Sequence, residues 1–278
     1  ILKVSILFVL SLLTCFFALT FGSIKISIND IFNFLFSQDL SVPEYSTILS
    51  IRFSRILLAF AVGAGLSVTG AVFQAILMNP LAEPYILGVS SGGTFGAILA
   101  IFLGLSFWYV TFFAGIGSIL IIFLVFVLGS RFGELEPNIL LLTGIMISAF
   151  FSALILLLIT LLNDSLRTAV FWMIGNLSNA DPGTVYFIFP ITVVLSLILT
   201  FFAQKYNVLA LGNENAIVLG VNTKFVKNIS YIVASLLIGF IVSVSGIVGF
   251  VGLIIPHICR MLFGLDNRVI MPTSFFVG

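Results

Sequence analysis

Apolar residues run along this chain in long unbroken stretches, and polar ones fall in short clusters between them. Stretches such as SILIIFLVFVLG stay apolar at successive positions, which fits helices buried in lipid and not the alternating strands of a barrel. No charged residue occurs between Arg55 and Glu83, Glu83 and Arg131, Glu136 and Asp164, Asp181 and Lys205, or Lys227 and Arg260. Each gap holds a spanning helix of about 20 residues, and the second gap holds two. Gly, Pro, Asn and Trp punctuation places spans near 4–22, 54–78, 86–104, 107–129, 138–162, 183–203 and 228–247, with a shorter, glycine-broken eighth at 249–264. The fold class predicted is an all-α integral membrane protein, a polytopic helix bundle of about eight spans forming a single domain over 1–278.

The longest polar connection, between the first two spans, holds a short surface helix that Ser27 or Asn29 caps. Trp108 with Tyr109, and Trp172, are read as interfacial anchors. Spans two and three carry AVGAGLSVTGA and GVSSGGTFGA, small residues that let helix backbones approach closely in a packed bundle. With the N-terminus inside, Lys3, Arg131, Lys205, Lys224 and Lys227 gather on the cytoplasmic side, against Lys25, Arg52, Arg55 and Arg167 outside.

Composition agrees with the pattern: 61% of the 278 residues are hydrophobic, 8% are charged, and mean hydropathy is +1.31. A net charge of +1 supplies no polybasic patch, so nucleic acid is excluded as a partner. Cys15 and Cys259 lie in apolar stretches near opposite ends and read as free thiols, not as a disulfide or metal site. Every Asp and Glu falls at or near a predicted loop, which leaves no acid at mid-membrane to carry protons or sodium. The chain also lacks G-x-x-x-x-G-K-[ST] and binds no ATP through a P-loop of its own. Energy for uphill movement would have to arrive from elsewhere.

One polar island, LGNENAIVLGVNTKFVK at 211–227, interrupts the oily chain on the predicted cytoplasmic side. Asn213 is placed to cap a helix of about two turns and Gly220 to end it. Ala216 with Leu219, and Ile217 with Val221, then form a small apolar ridge suited to a groove on a partner, or to lying on the bilayer.

Segment 51–97 holds Arg52 and Arg55 before a Gly- and Ala-rich helix, then Gln74, NPLAEP at 79–84 and LGVS at 87–90. A later block, SGIVGFVGLIIPHICRMLFGLDNRVIMP, follows FWMIGNLSNA and GNENAIVLGV. In order and spacing these resemble the membrane subunits of FecCD/BtuC-type ABC importers, which carry iron chelates, haem or vitamin B12.

The resemblance implies a homodimer of ten-span subunits with short cytoplasmic coupling helices. Two ATP-binding cassette subunits would sit inside, holding ATP and Mg, so that this chain binds no cofactor and performs no covalent chemistry. A solute-binding protein would dock outside, in a bacterial or archaeal plasma membrane, and the family's last two spans are expected beyond the supplied residues. It also assigns roles. Asn213, Glu214, Asn215, Ala216, Leu219 and Gly220 match the segment that couples to the ATPase, with Glu214 and Ala216 as the sensitive contacts. Arg52 and Arg55 match arginines that engage carboxylates of the binding protein, a task for which a planar, permanently charged fork is suited; snorkelling at the membrane surface is the alternative. Asn79 and Leu81 match a cytoplasmic gate. Pro137 and Asn138 stand where the family often has small hydroxyl residues at a second constriction. Ser148 and Ser152 are candidates for lining the pathway.

The cargo expected is a metal chelate, most plausibly ferric siderophore, with haem, vitamin B12 or an oxyanion as alternatives. Two readings from other classes are an intramembrane serine protease built on Ser90 and His257, and a carrier working without ATP.

Overall fold

The computed structural model describes residues 2–22, 24, 26–36, 44–131, 134–162, 165–178 and 181–278. Lys25, the middle of the first polar connection and the last two residues of FWMIGNLSNA lie outside the described residues. Thirteen α-helices appear among the described residues: α1 (Leu2–Thr20), α2 (Ile28–Leu35), α3 (Glu44–Ile76), α4 (Val89–Phe102), α5 (Phe107–Gly129), α6 (Pro137–Leu161), α7 (Leu166–Ile174), α8 (Pro182–Phe201), α9 (Ala203–Leu209), α10 (Asn213–Val218), α11 (Thr223–Ser245), α12 (Val251–Phe263) and α13 (Asn267–Val277). A two-residue hairpin, Ser130–Arg131 with Glu134–Leu135, joins α5 to α6.

Six helices are long and apolar enough to cross a membrane: α1, α3, α5, α6, α8 and α11. With α4 and α12 as shorter apolar helices, the eight expected segments are all present. Ser27, not Asn29, caps α2: its hydroxyl accepts from Asp30 N at 3.2 Å. Trp172 is half-buried and packs against the core instead of serving as an exposed anchor, while Trp108 and Tyr109 stay exposed.

The core is the α3–α11 pair. Every residue of α3 from Ala61 to Gln74 is buried, and α11 buries Ser230, Tyr231, Ala234, Leu237, Ile238 and Ile241 against it and its neighbours. On the other side, the small residues of α4, among them Gly92, Gly96, Ala97 and Ala100, are buried against α5. The close approach foreseen from composition is therefore realised in both glycine-rich helices.

Two spans are only about two-thirds of full length. At 1.5 Å per residue, the 14 residues of α4 and 13 of α12 extend only about 20 Å, short of the ~30 Å hydrocarbon core. The reason is that the chain leaving α3 does not remain at the surface: Pro84 packs beside Leu66 and Gly252. Leu66 lies ten residues before the end of α3 at Ile76, so Pro84 sits about 15 Å inward from that end. From there a 3-10 turn, Pro84–Leu87, leads through Gly88 into α4. The helix α12 starts at the same depth, where Gly252 meets both Gly70 and Pro84; any side chain there would strike backbone. Irregular backbone inside a membrane protein is tolerated where protein buries it or a cavity receives it, and both conditions hold here.

Glu83 lies in a loop, as the charge pattern indicated, and that loop dips into the bundle, which brings the carboxylate beside the start of α12.

Candidate functional site

The polar island is a knuckle at one end of the bundle. Asn213 is the first helical residue of α10 and not its cap; Gly212, at φ +97°, takes the cap position. The helix ends in a full Schellman closure, with Gly220 N donating to Ile217 O at 2.9 Å and Val221 N to Ala216 O at 2.9 Å. Gly220 stands at φ +80°, the left-handed conformation this closure needs. Below it, Asn222 caps α11 by accepting from Phe225 N at 2.9 Å. The knuckle is thus self-supporting and runs without slack into the longest buried helix after α3.

Its exposed surface differs from the ridge expected. Ala216 is fully buried and joins the main core, whereas Ile217, Val218 and Leu219 are 61, 86 and 60% exposed. Leu219 lies beyond the last helical residue, so helical spacing does not put it on the Ala216 face. Glu214 and Asn215 are exposed, and Asn215 also donates to Leu211 O. A partner would therefore meet Ile217, Val218 and Leu219, with Glu214 at the rim, while Ala216 fixes the seat of the knuckle.

The second constellation is the re-entrant turn. Asn79 folds it locally: its side-chain oxygen accepts from Leu81 N at 3.0 Å and its carbonyl from Ala82 N at 3.1 Å. Leu81 projects outward, 70% exposed. Three side chains then tie this segment to the α11–α12 junction. Glu83 accepts from Phe250 N at 2.9 Å, Tyr85 accepts from Val248 N at 3.3 Å, and Gln74 reaches the carbonyls of Gly252 and Leu253 with long 3.5 Å bonds. Arg260 closes the set by donating to the side-chain oxygen of Gln74. None of these partners could be read from spacing, because each pair is more than a hundred residues apart in the chain.

Glu83 and Tyr85 also border an open groove of about 630 Å³ that contains Ser90, Ser91, Thr94, Ser148 and Ser152. Both serines proposed for the pathway, Ser148 and Ser152, thus line the same groove as a carboxylate and further hydroxyls. Pro137 is the first residue of α6, half-buried, and Asn138 beside it is exposed. Ser90 borders the groove, His257 is exposed on α12, and no hydrogen bond joins them among the described residues.

At the opposite end Arg52 and Arg55 differ. Arg52 is half-buried and donates to Leu19 O at 3.0 Å and Ile24 O at 2.7 Å, satisfying one carbonyl in the last turn of α1 and one beyond it. Arg55 is exposed. Lys3, by contrast, lies over the Phe263 ring at 5.6 Å, which places the N-terminus of α1 beside the end of α12 and away from the arginines. Near that Lys3 end, Asn207 of α9 donates to Asp266 at 2.6 Å and accepts from Asn267 N at 2.8 Å. Bonds from Arg268 and Asn207 hold the Asp266 carboxyl well below the usual carboxylate range. Among the described residues no three His, Cys, Asp or Glu cluster as metal ligands.

A family model described as the FecCD transport family matches residues 9–278. Among curated relatives, the ABC transporter permease YvrB of Bacillus subtilis is 37% identical over 92% of this chain and 76% of its own length. The molybdate import system permease MolB of Haemophilus influenzae is 34% identical over 98% and 84%. The iron(3+)-hydroxamate import system permease FhuG of Bacillus subtilis is 33% identical over 99% and 84%. A solved structure presented as an inward-facing conformation of a metal-chelate type ABC transporter superposes with a TM-score of 0.88, at 31% identity, covering 99% of this chain and 86% of that one.

Proposed function

Because the chain belongs to the FecCD transport family and is the permease subunit of an ABC importer, we propose that it carries a metal chelate inward, ferric siderophore foremost. It works as half of a homodimer, driven by two ATP-binding cassette subunits and supplied by an extracytoplasmic solute-binding protein, in a bacterial or archaeal plasma membrane.

The observation that carries this reading is the knuckle: three aliphatic side chains held out on a six-residue helix and its C-cap, closed by their own backbone. Fully burying one such side chain is worth about 1.5–3 kcal/mol, which water denies and a groove on an ATPase provides. Closure of the nucleotide sandwich would push α10, and α11 would carry the push inward. Leu81 and Asn79 then act as one side of a gate on the cytoplasmic face, with Pro137 and Asn138 as a second element. Cargo passes along the wall bearing Ser148 and Ser152. On the outer face Arg55 is the freer of the two docking arginines, since Arg52 already serves the α1 carbonyls.

Support for a chelate comes from the metal-chelate type neighbour and the iron-hydroxamate relative. The molybdate relative favours a second reading, an oxyanion. Binding measurements on the partner solute-binding protein separate them. Tight retention of a ferric siderophore is expected; retention of molybdate alone would overturn the cargo assignment.

A further inference from the structure

Two residues other than glycine take left-handed backbone among those described, Met78 at φ 50° and Phe250 at φ 67°. Such conformations cost about 1–3 kcal/mol each and persist where the surroundings over-determine them. Met78 opens the re-entrant turn, and Phe250 is the residue from which α12 departs. Glu83 joins the two strained elements, because its carboxylate takes the Phe250 amide, one of the donors that a helix start leaves open. Tyr85, two residues after Glu83, repeats the link at Val248, two residues before Phe250. The turn's other root is also tied, since Asn79 N donates to Gln74 O while the Gln74 side chain holds Arg260 and the start of α12.

The chain order gives this cross-link a consequence. From the knuckle, α11 rises as one unbroken helix from Thr223 to Ser245, then five residues lead to Phe250 and α12. The exposed gate residue Leu81 stands two positions before Glu83. We infer that Glu83, seconded by Tyr85, is the positioning residue that makes the gate turn follow the α11–α12 junction. Movement received at α10 reaches Leu81 through these side-chain-to-backbone bonds and not through lipid-facing packing. The inference rests on the importer reading, and gives that reading a transmission route.

The test uses the full-length permease assembled with its ATPase subunits, with Cys15 and Cys259 replaced and Leu81→Cys as reporter. Labelling by a membrane-impermeant maleimide is compared between the nucleotide-free and ATP-trapped complexes, alongside ATP hydrolysis. The parent is expected to change its labelling rate at least about fivefold between the two states, the lower end of ordinary coupling. Glu83→Ala should abolish that change while hydrolysis continues, and Glu83→Gln, which keeps an acceptor for Phe250 N, should restore it. Labelling that still switches fully in Glu83→Ala overturns the inference. Should Glu83→Ala fail to assemble, Tyr85→Phe decides: a weakened switch supports the route, and a switch equal to the parent's overturns it. A parent that neither hydrolyses ATP with its partner nor switches strikes the importer reading itself.

Discussion

The re-entrant turn and the knuckle are both short, irregular and polar in sequence, yet they solve opposite problems. At the turn, chain from 78 to 87 enters the bundle, and its polar groups meet fixed partners on α12 and the junction before it. At the knuckle, the bonds that close α10 are local, the backbone closes on itself, and Ile217, Val218 and Leu219 are left facing out. The first region is complete within one chain. The second is stable but unsatisfied, since a surface with Val218 86% exposed gains most by meeting another molecule. Overfilling the seat that holds the turn should therefore act on folding, and damage to the knuckle on association.

Gly252→Val should be the most harmful change, because a side chain there strikes Pro84 and the Leu66 carbonyl, neither of which can yield. A loss of about 3 kcal/mol is expected, visible as a lowered melting temperature of the purified protein in detergent. Unaltered melting would mean that the turn does not seat against α12.

Gly220→Ala should cost less, about 1 kcal/mol, through the left-handed position it occupies with open space around it. The helix end would loosen while the bundle stays folded. Faster amide exchange at Gly220 and Val221, with exchange in α11 unchanged, is the expected signature; uniform acceleration through α11 would show that the two regions are not independent.

Much of this architecture was legible in the sequence, for reasons that differ by element. Long spans such as 107–129 and 137–161 are set by lipid, which demands consecutive apolar residues, so the pattern alone located them. The α3 helix begins at Glu44, ten residues before its apolar run, because nothing in EYSTILSIRFSR breaks a helix that extends beyond the membrane. The shortness of α12 was legible in its glycine-broken run, while that of α4 was hidden, since the apolar stretch at 86–104 looks alike whether it crosses or stops midway. The depth of Glu83 depended on Pro84 meeting Gly252, a contact no local rule contains. At the knuckle the motif fixed the place and the terminating glycine, while the inward turn of Ala216 came from its packing in the main core. Arg52 matched a docking position and was found bound to carbonyls at and just beyond the end of α1.

The central claim, that work enters this chain through the knuckle from a separate ATPase, is tested most directly by Val218→Asp. With wild-type permease the ATP-binding cassette subunits should co-purify and hydrolyse ATP. With the variant their affinity should fall about thirtyfold, the roughly 2 kcal/mol of a central interface residue, while the permease melts at an unchanged temperature. Undiminished co-purification and hydrolysis with Val218→Asp would contradict the account.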